Sequence, residues 1–369
     1  MQMSKHEVIR EAKLIFAGIA DPRVERTRVH SLEVILFIAL ASTLSGAKGF
    51  YEMEDYADGR QEWLREHVGM VDVPSHDTFN RVFQLLPAES MEQCLVEFSA
   101  RLRREVAGEV VSFDGKTQRR SGGGGKGALH VLNAWASENR LALGQMAVGE
   151  KSNEISAMPL LMDMLVLKGC VVSADALNSQ KQVAAKAVEK GADYVLALKG
   201  NHPLMYEEVK SFMDDIAARE PPGYDQTEKD HGRMERRRCW QSEHVGWYEG
   251  KEDWQGLRSF VLIESERIVK GVKETQRRYY ISSLGRDEKR AAQCVRSHWL
   301  VENALHWSLD VTFGEDQSRA RARNAAKNLS ILRTLCLNLL KRVPGKSSLR
   351  SKMFQNALST QRLFQTLSF

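Results

Sequence analysis

Glu109-Val110-Val111-Ser112-Phe113-Asp114 and Cys170-Val171-Val172-Ser173-Ala174-Asp175 decide how this chain reads. Each is a short apolar run rich in β-branched residues, the pattern of a buried strand, and each ends on an aspartate. Between them lie apolar runs at 129–135 and 141–148, joined near Glu138-Asn139-Arg140 as a hairpin would be, and a helical stretch at 154–167. Beyond them come an Ala-rich helix at 180–190, a fifth strand at 194–199 and a helix after Pro203.

The order is β-β-β-α-β-α-β-α, which is the element order of an α/β, ribonuclease H-like mixed sheet. In such a sheet the first and fourth strands are neighbours. Asp114 and Asp175, 61 positions apart, would then end adjacent strands side by side. A lone aspartate at a strand end is commonly a turn or helix cap. Two held together repel one another unless divalent cations sit between them.

Working outward, residues 1–104 show helical spacing with no convincing strand, punctuated by Pro22, Pro74 and Pro87, and read as an all-helical domain. Within it Ser75 and Asp77 lead into 78–83 as helix-capping residues, either for a packed helix or for the recognition helix of a DNA-binding helix-turn-helix. The catalytic domain is expected at 105–343, with a β-rich insertion at about 221–284 and helices resuming from Asp287. Residues 344–369 are expected to form a basic C-terminal tail.

Of 369 residues, 53 are Lys or Arg and 48 Asp or Glu, a net charge of +5. From Gln317 onward there are eleven basic residues and no acid, leaving 42 basic against 48 acidic ahead of it. A mildly acidic body with a strongly basic end points to a polyanionic partner. Five widely spaced cysteines without a CxxC pair indicate reduced thiols. The longest apolar run, Val34 to Ala41, is too short to span a bilayer, so a soluble cytoplasmic protein is expected.

A third carboxylate is needed for metal-assisted phosphoryl transfer. In His298-Trp299-Leu300-Val301-Glu302-Asn303-Ala304-Leu305-His306, a helix would place His298, Glu302 and His306 on one face. The zinc-protease pattern fails because the glutamate is the middle member of the series. Asp310, Glu315 and Asp316 follow closely as rivals. Trp299 and Trp307 read as core residues. Lys116, Arg119, Arg120, Lys199, Arg233, Arg319, Arg321 and Arg323 flank the acids and are candidates for phosphate contacts, and the glycines at 122–125 either let their loop move against a backbone or simply connect.

At this point the chain resembles the ISAs-type insertion-sequence transposases, also called H-repeat-associated proteins, within the DDE transposase superfamily. The matching motifs include Asp21-Pro22-Arg23, Pro74-Ser75-His76-Asp77-Thr78-Phe79, Phe113-Asp114-Gly115-Lys116-Thr117, Lys151-Ser152-Asn153-Glu154-Ile155, Ala174-Asp175-Ala176-Leu177-Asn178, Leu198-Lys199-Gly200-Asn201, His231-Gly232-Arg233, 279–284 and the block at 298–316. The resemblance implies Asp114, Asp175 and Glu302 as an acidic triad holding two Mg²⁺ (or Mn²⁺) ions. It also implies double-stranded DNA as partner, both element terminal inverted repeats and target, with the protein a homodimer on DNA. The wider group carries Tyr, Arg and Lys seven before, four before and seven after its glutamate, where this chain has Val295, His298 and Leu309. Arg296, with Tyr279 and Tyr280, is the nearby substitute for these residues, and Arg296 and His298 are both expected among the DNA contacts. The competing readings are a domesticated or inactive transposase-derived DNA-binding protein and a Mg-dependent DNA nuclease.

Overall fold

The computed structural model describes residues 4–123, 127–149, 154–230, 233–269 and 272–368. Gly124, Gly125, Lys151, Ser152, Asn153, His231 and Gly232, together with the side chain of Arg233, lie outside the described residues.

Six helices lead the chain: α1 (Lys5–Leu14), α2 (Leu32–Leu44), α3 (Phe50–Asp58), α4 (Gln61–Val68), α5 (His76–Leu85) and α6 (Ala88–Leu102). The apolar run inside α2 is buried on every side, as a helix without a polar face must be. Ser75 caps α5 by accepting from the Thr78 amide, and Phe79, Val82 and Phe83 pack inward while Arg81 stays exposed.

The sheet begins with β1 (Val110–Thr117), β2 (His130–Ala136) and β3 (Leu141–Val148). It continues through α7 (Glu154–Met164), β4 (Val171–Ala174), α8 (Lys181–Glu189), β5 (Asp193–Leu198) and α9 (Pro203–Arg219). The expected β-rich insertion is present as four strands, β6 (Tyr224–Asp230), β7 (Arg233–Ser242), β8 (Ser259–Val269) and β9 (Val272–Ser282). They extend the main sheet, because β9 pairs antiparallel with β5 and yields the order β3-β2-β1-β4-β5-β9-β8-β7-β6. Helices α10 (Glu288–Val301), α11 (Ala325–Arg342), α12 (Leu349–Leu358) and α13 (Thr360–Leu367) complete the chain. No described helix is long and apolar enough to cross a membrane, and all five cysteines are buried and free.

Two boundaries differ from the sequence reading. Strand β1 does not stop at Asp114: its antiparallel pairing with β2 continues to Thr117 opposite His130, whereas its parallel pairing with β4 ends at Phe113 opposite Ala174. The stretch expected as a basic C-terminal tail forms helices over Leu349–Leu358 and Thr360–Leu367. Helices α12 and α13 pack against α2 and α1, burying Met353, Leu363, Phe364 and Leu367, since each carries an apolar face that water would otherwise solvate.

Helix α11 joins the two halves of the molecule. It is buried along almost its whole length between α2, α5, α6 and β3. A helix so placed must satisfy every polar group it carries. Asn338 does so by treating β3 as a sheet neighbour would: its Oδ1 accepts from the Ala142 amide at 3.0 Å, and its Nδ2 donates to the Ala142 carbonyl at 2.9 Å and to Ser99 Oγ at 3.1 Å. Gln145 of the same strand donates to Ser330 and accepts from Thr334. The edge strand β3 is thereby covered by side chains instead of being open to another sheet. Replacing Asn338 with Leu strands the Ala142 amide in the core, while Ser99 Oγ still donates to the Ala142 carbonyl at 2.8 Å. A loss of about 1–3 kcal/mol is expected in urea unfolding at neutral pH.

Candidate active site

Period-2 alternation along β1 and β4 decides which side of the sheet the acids occupy. Val110 and Val171 pack under α10 with Ala291, Cys294 and Val295, so Asp114 and Asp175, each four residues further on, share that α10 side. The Phe113–Ala174 register puts the two aspartates next to one another just where the parallel ladder ends. Asp175 follows β4 immediately and is tied down by the Asn178 amide, which donates to its Oδ1 at 3.0 Å.

Glu302 comes from the end of α10, where the helix changes pitch. From Glu302 to His306 and again from Ser308 to Thr312 the chain is π-helical, and the Trp307 amide bonds back to the Glu302 carbonyl. The expected regular face of His298, Glu302 and His306 is therefore interrupted, and such wide turns recur at functional sites. The Glu302 side chain is exposed, and its charge reaches Asp114. His306 lies with Nδ1 3.5 Å from Asp114 Oδ2. Burial, with Lys116 nearby, pulls the His306 imidazole down to about 4. Burial likewise lowers His298 to about 4, against opposed influences of Asp175 and Lys199, and its Nδ1 is buried without a partner. Both rings are thus neutral at physiological pH.

Asp114 carries the clearest electrostatic signature. Burial, reinforced by Asp175, Glu302 and Glu154, pushes its carboxyl up to about 7. The charges of these three carboxylates act on Asp114 together, and the oxygens of Asp114, Asp175 and Glu302 are of the donor type that suits a hard divalent cation. Among the described residues, no group of three or more His, Cys, Asp or Glu side chains is placed so that it could hold a metal ion.

Lys116 proves to be a structural cation, correcting the expected phosphate contact. It is 9% exposed, and its amine sits 2.7 Å from Asp310, 2.9 Å from Glu315 and 3.6 Å from Asp316. The three rivals for the third acid are all drawn to it, and Ser330 of α11 donates to the other oxygen of Glu315. Arg296 is also engaged, paired with Glu228. Tyr279 is buried and donates to Asp214, and Tyr280 is buried under α10, so neither faces solvent as a DNA contact would.

Other expected cations stay on the surface. The segment bearing Arg119 and Arg120 and the segment bearing Arg319, Arg321 and Arg323 lie against each other, with Arg119 3.4 Å from Asp316 and Arg321 Nε donating to the Arg120 carbonyl at 3.0 Å. All five arginines are exposed, as is Lys199 past the end of β5. The basic C-terminal stretch is not uniformly available, however. Arg333 is buried and donates to the Lys48 carbonyl, Lys341 donates to Ala304 over the Trp135 ring, and Lys352 caps the end of α11. Trp299 and Trp307, expected in the core, are 39% and 57% exposed, with Arg278 stacked over Trp299 at 4.5 Å.

Sequence reasoning missed Glu154, His130 and Asn178. Glu154 and Asn178 stand in two of the quoted motifs and His130 in none, and nothing in a linear sequence places the start of α7 beside Gly115. The raised Asp114 pKa has a testable consequence for stability. An acid whose folded pKa exceeds its ordinary value of 3.8 contributes stability below about pH 4 that is lost as pH rises through about 7. In metal-free protein, Asp114→Asn should escape that loss. Urea unfolding should show it more stable than wild type by about 1–3 kcal/mol at pH 8 and nearly equal at pH 4.

Two family models together match most of the chain. A family model described as "Transposase DDE domain" matches residues 106–339, and one described as "DDE_Tnp_1-associated" matches residues 14–99. The chain is 35% identical over 361 residues to "Putative transposase YncI" of Escherichia coli O157:H7, covering 95% of this chain and 92% of that one. It is 32% identical over 355 residues to "H repeat-associated putative transposase YhhI" of Escherichia coli K12, covering 92% and 93%. A protein described as "Uncharacterized protein in dhlA 3'region" of Xanthobacter autotrophicus is 41% identical over 278 residues, covering 73% and 94%. With one match spanning the strands that carry both aspartates and the helix that leads to Glu302, and the other spanning the helices ahead of them, this chain belongs to the DDE-domain transposase family.

Proposed function

We propose that this protein cleaves DNA at the ends of an insertion sequence and joins the freed 3′-OH to target DNA, using Asp114, Asp175 and Glu302 as its acidic triad. The observation that carries the reading is the register of Phe113 with Ala174, which seats two aspartates together on the α10 side of the sheet. The strand order β3-β2-β1-β4-β5, antiparallel for three and then parallel, supports a ribonuclease H-like core. Lys116 supports Glu302 as third acid, because it holds Asp310, Glu315 and Asp316 in an ion-pair group of its own.

Two Mg²⁺ or Mn²⁺ ions held by the triad would supply an activated water or 3′-OH and a stabilised leaving oxygen. The chain's own residues do the rest. His306, neutral and packed against Asp114, limits the positions that carboxylate can take. The exposed arginines at 119, 120, 319, 321 and 323, with Lys199, offer a rim for phosphates beside the acids. Double-stranded DNA is the substrate, bound as a homodimer, and the place of action is the bacterial cytoplasm, where the relatives' hosts keep their DNA.

Asp114→Asn, Asp175→Asn and Glu302→Gln should each abolish Mg²⁺-dependent end cleavage, with DNA affinity kept within about threefold. A residue whose variant still cleaves is not in the triad. Joined products in the same assay separate a transposase from a hydrolytic nuclease. Replacing Arg319, Arg321 and Arg323 together by Ala should lower the slope of log affinity against log salt by roughly 2–3. An unchanged slope would remove this segment from the DNA contact.

A further inference from the structure

A continuous run of hydrogen bonds reaches Asp175 through side chains given no part in the reaction so far. Thr117 Oγ1 of β1 lies 2.7 Å from His130 Nδ1, directly opposite it on β2. His130 Nε2 lies 2.6 Å from Glu154 Oε1, at the first residue of α7. The other oxygen of Glu154 accepts from Asn178 Nδ2 at 2.7 Å, and the same nitrogen donates to Asp175 Oδ1 at 3.1 Å. Asn178 is fully buried.

The run fixes its own proton positions. Both Glu154 oxygens accept, so His130 donates from Nε2, and in its neutral form the ring accepts the Thr117 hydroxyl hydrogen bond on Nδ1. Asn178 then presents its NH₂ to both carboxylates at once, and its flipped form would set an oxygen against each.

Gly115 shows how tightly the carboxylate is seated. A Cβ there would stand 2.3 Å from Glu154 Oε1 and 2.7 Å from His130 Nε2. Only glycine beside Asp114 lets the Glu154 carboxyl lie against the β1 backbone.

We propose that Glu154 is a positioning residue: seated by His130 and Gly115, it holds Asn178 so that Asp175 is fixed in the orientation that receives a divalent cation. Both Glu154 oxygens already accept hydrogen bonds, which suits a support better than a ligand, and outer partners of this kind tune metal affinity by about 10–100-fold. The inference rests on the reading of Asp114, Asp175 and Glu302 as a cation-binding triad.

The test is calorimetric titration of the full chain with Mn²⁺, without DNA, alongside thermal melting of the metal-free protein. Asp175→Asn should abolish binding; if it binds as wild type does, the triad reading fails and this inference with it. Given that loss, Glu154→Ala should weaken Mn²⁺ binding at least about tenfold with a melting temperature within about 3 °C of wild type. Glu154→Gln should stay within about threefold of wild type, because its amide oxygen still accepts from Asn178 and its NH₂ donates to His130 once that ring moves its proton to Nδ1. Wild-type affinity in Glu154→Ala overturns the proposal. So does an equal loss in Glu154→Gln, which would make Glu154 itself a ligand. Should Glu154→Ala melt more than about 3 °C lower, Asn178→Ser decides: it removes the donor to Asp175 while sparing the Glu154–His130 pair. It should show the same tenfold loss, and wild-type binding there overturns the proposal.

Discussion

The unequal pairing of β1 on its two sides governs this structure. Its parallel ladder with β4 stops at Phe113, while its antiparallel ladder with β2 runs on to Thr117. The segment Asp114–Thr117 is therefore held as a strand by one neighbour only, and its other edge opens to the groups that arrive there. Because side chains alternate, Asp114 and Lys116 face α10 while Gly115 and Thr117 face the other way. One short segment thus supplies an acid to one side of the sheet, a buried cation to the same side, and a seat for Glu154 and a partner for His130 on the opposite side.

Charge is distributed around this segment by burial as much as by number. Lys116 is surrounded by three carboxylates, Glu315 also takes a hydrogen bond from Ser330 of α11, and Arg333 lies buried on the same helix. Breaking such a buried group by removing one member leaves uncompensated charge, so these residues constrain one another strongly. The carboxylates around Asp114 lack an equivalent partner, and the result is a carboxyl raised to about 7. Stability and chemistry divide between two neighbouring acidic groups that differ chiefly in whether a lysine stands among them.

The π-helical turns after α10 belong to the same arrangement. An i→i+5 turn leaves backbone carbonyls without their usual donors. Here Ala304 receives both the Ser308 hydroxyl and the Lys341 amine, and that amine is pulled down to about 7 by burial. A lysine that counts toward a basic, DNA-facing flank in sequence thus supports the helix carrying Glu302. Charge summed along a chain overstates the charge on its surface whenever part of it is needed to satisfy buried backbone.

The strands that carry the two aspartates, the hairpin between them, the helical first hundred residues and the alternation of strand and helix were all legible, because periodicity and turn chemistry are local properties. The spacing that excluded a zinc pattern around Glu302 is also local, but the π-helical turns from Glu302 to His306 and from Ser308 to Thr312 were not visible in it. The continuation of β1 past Asp114, the joining of the insertion to the main sheet and the packing of α12 and α13 on the first helices were not legible, since each depends on which partner reaches an edge or an apolar face first. The fates of individual cations divide in the same way. Arg319, Arg321 and Lys116 are alike in sequence as basic residues beside acids, yet the first two remain in water and the third is enclosed by Asp310, Glu315 and Asp316. The chain by itself determined which residues are capable of the chemistry. Tertiary structure decided which of them face one another, because contact between positions hundreds of residues apart is set by packing and not by spacing.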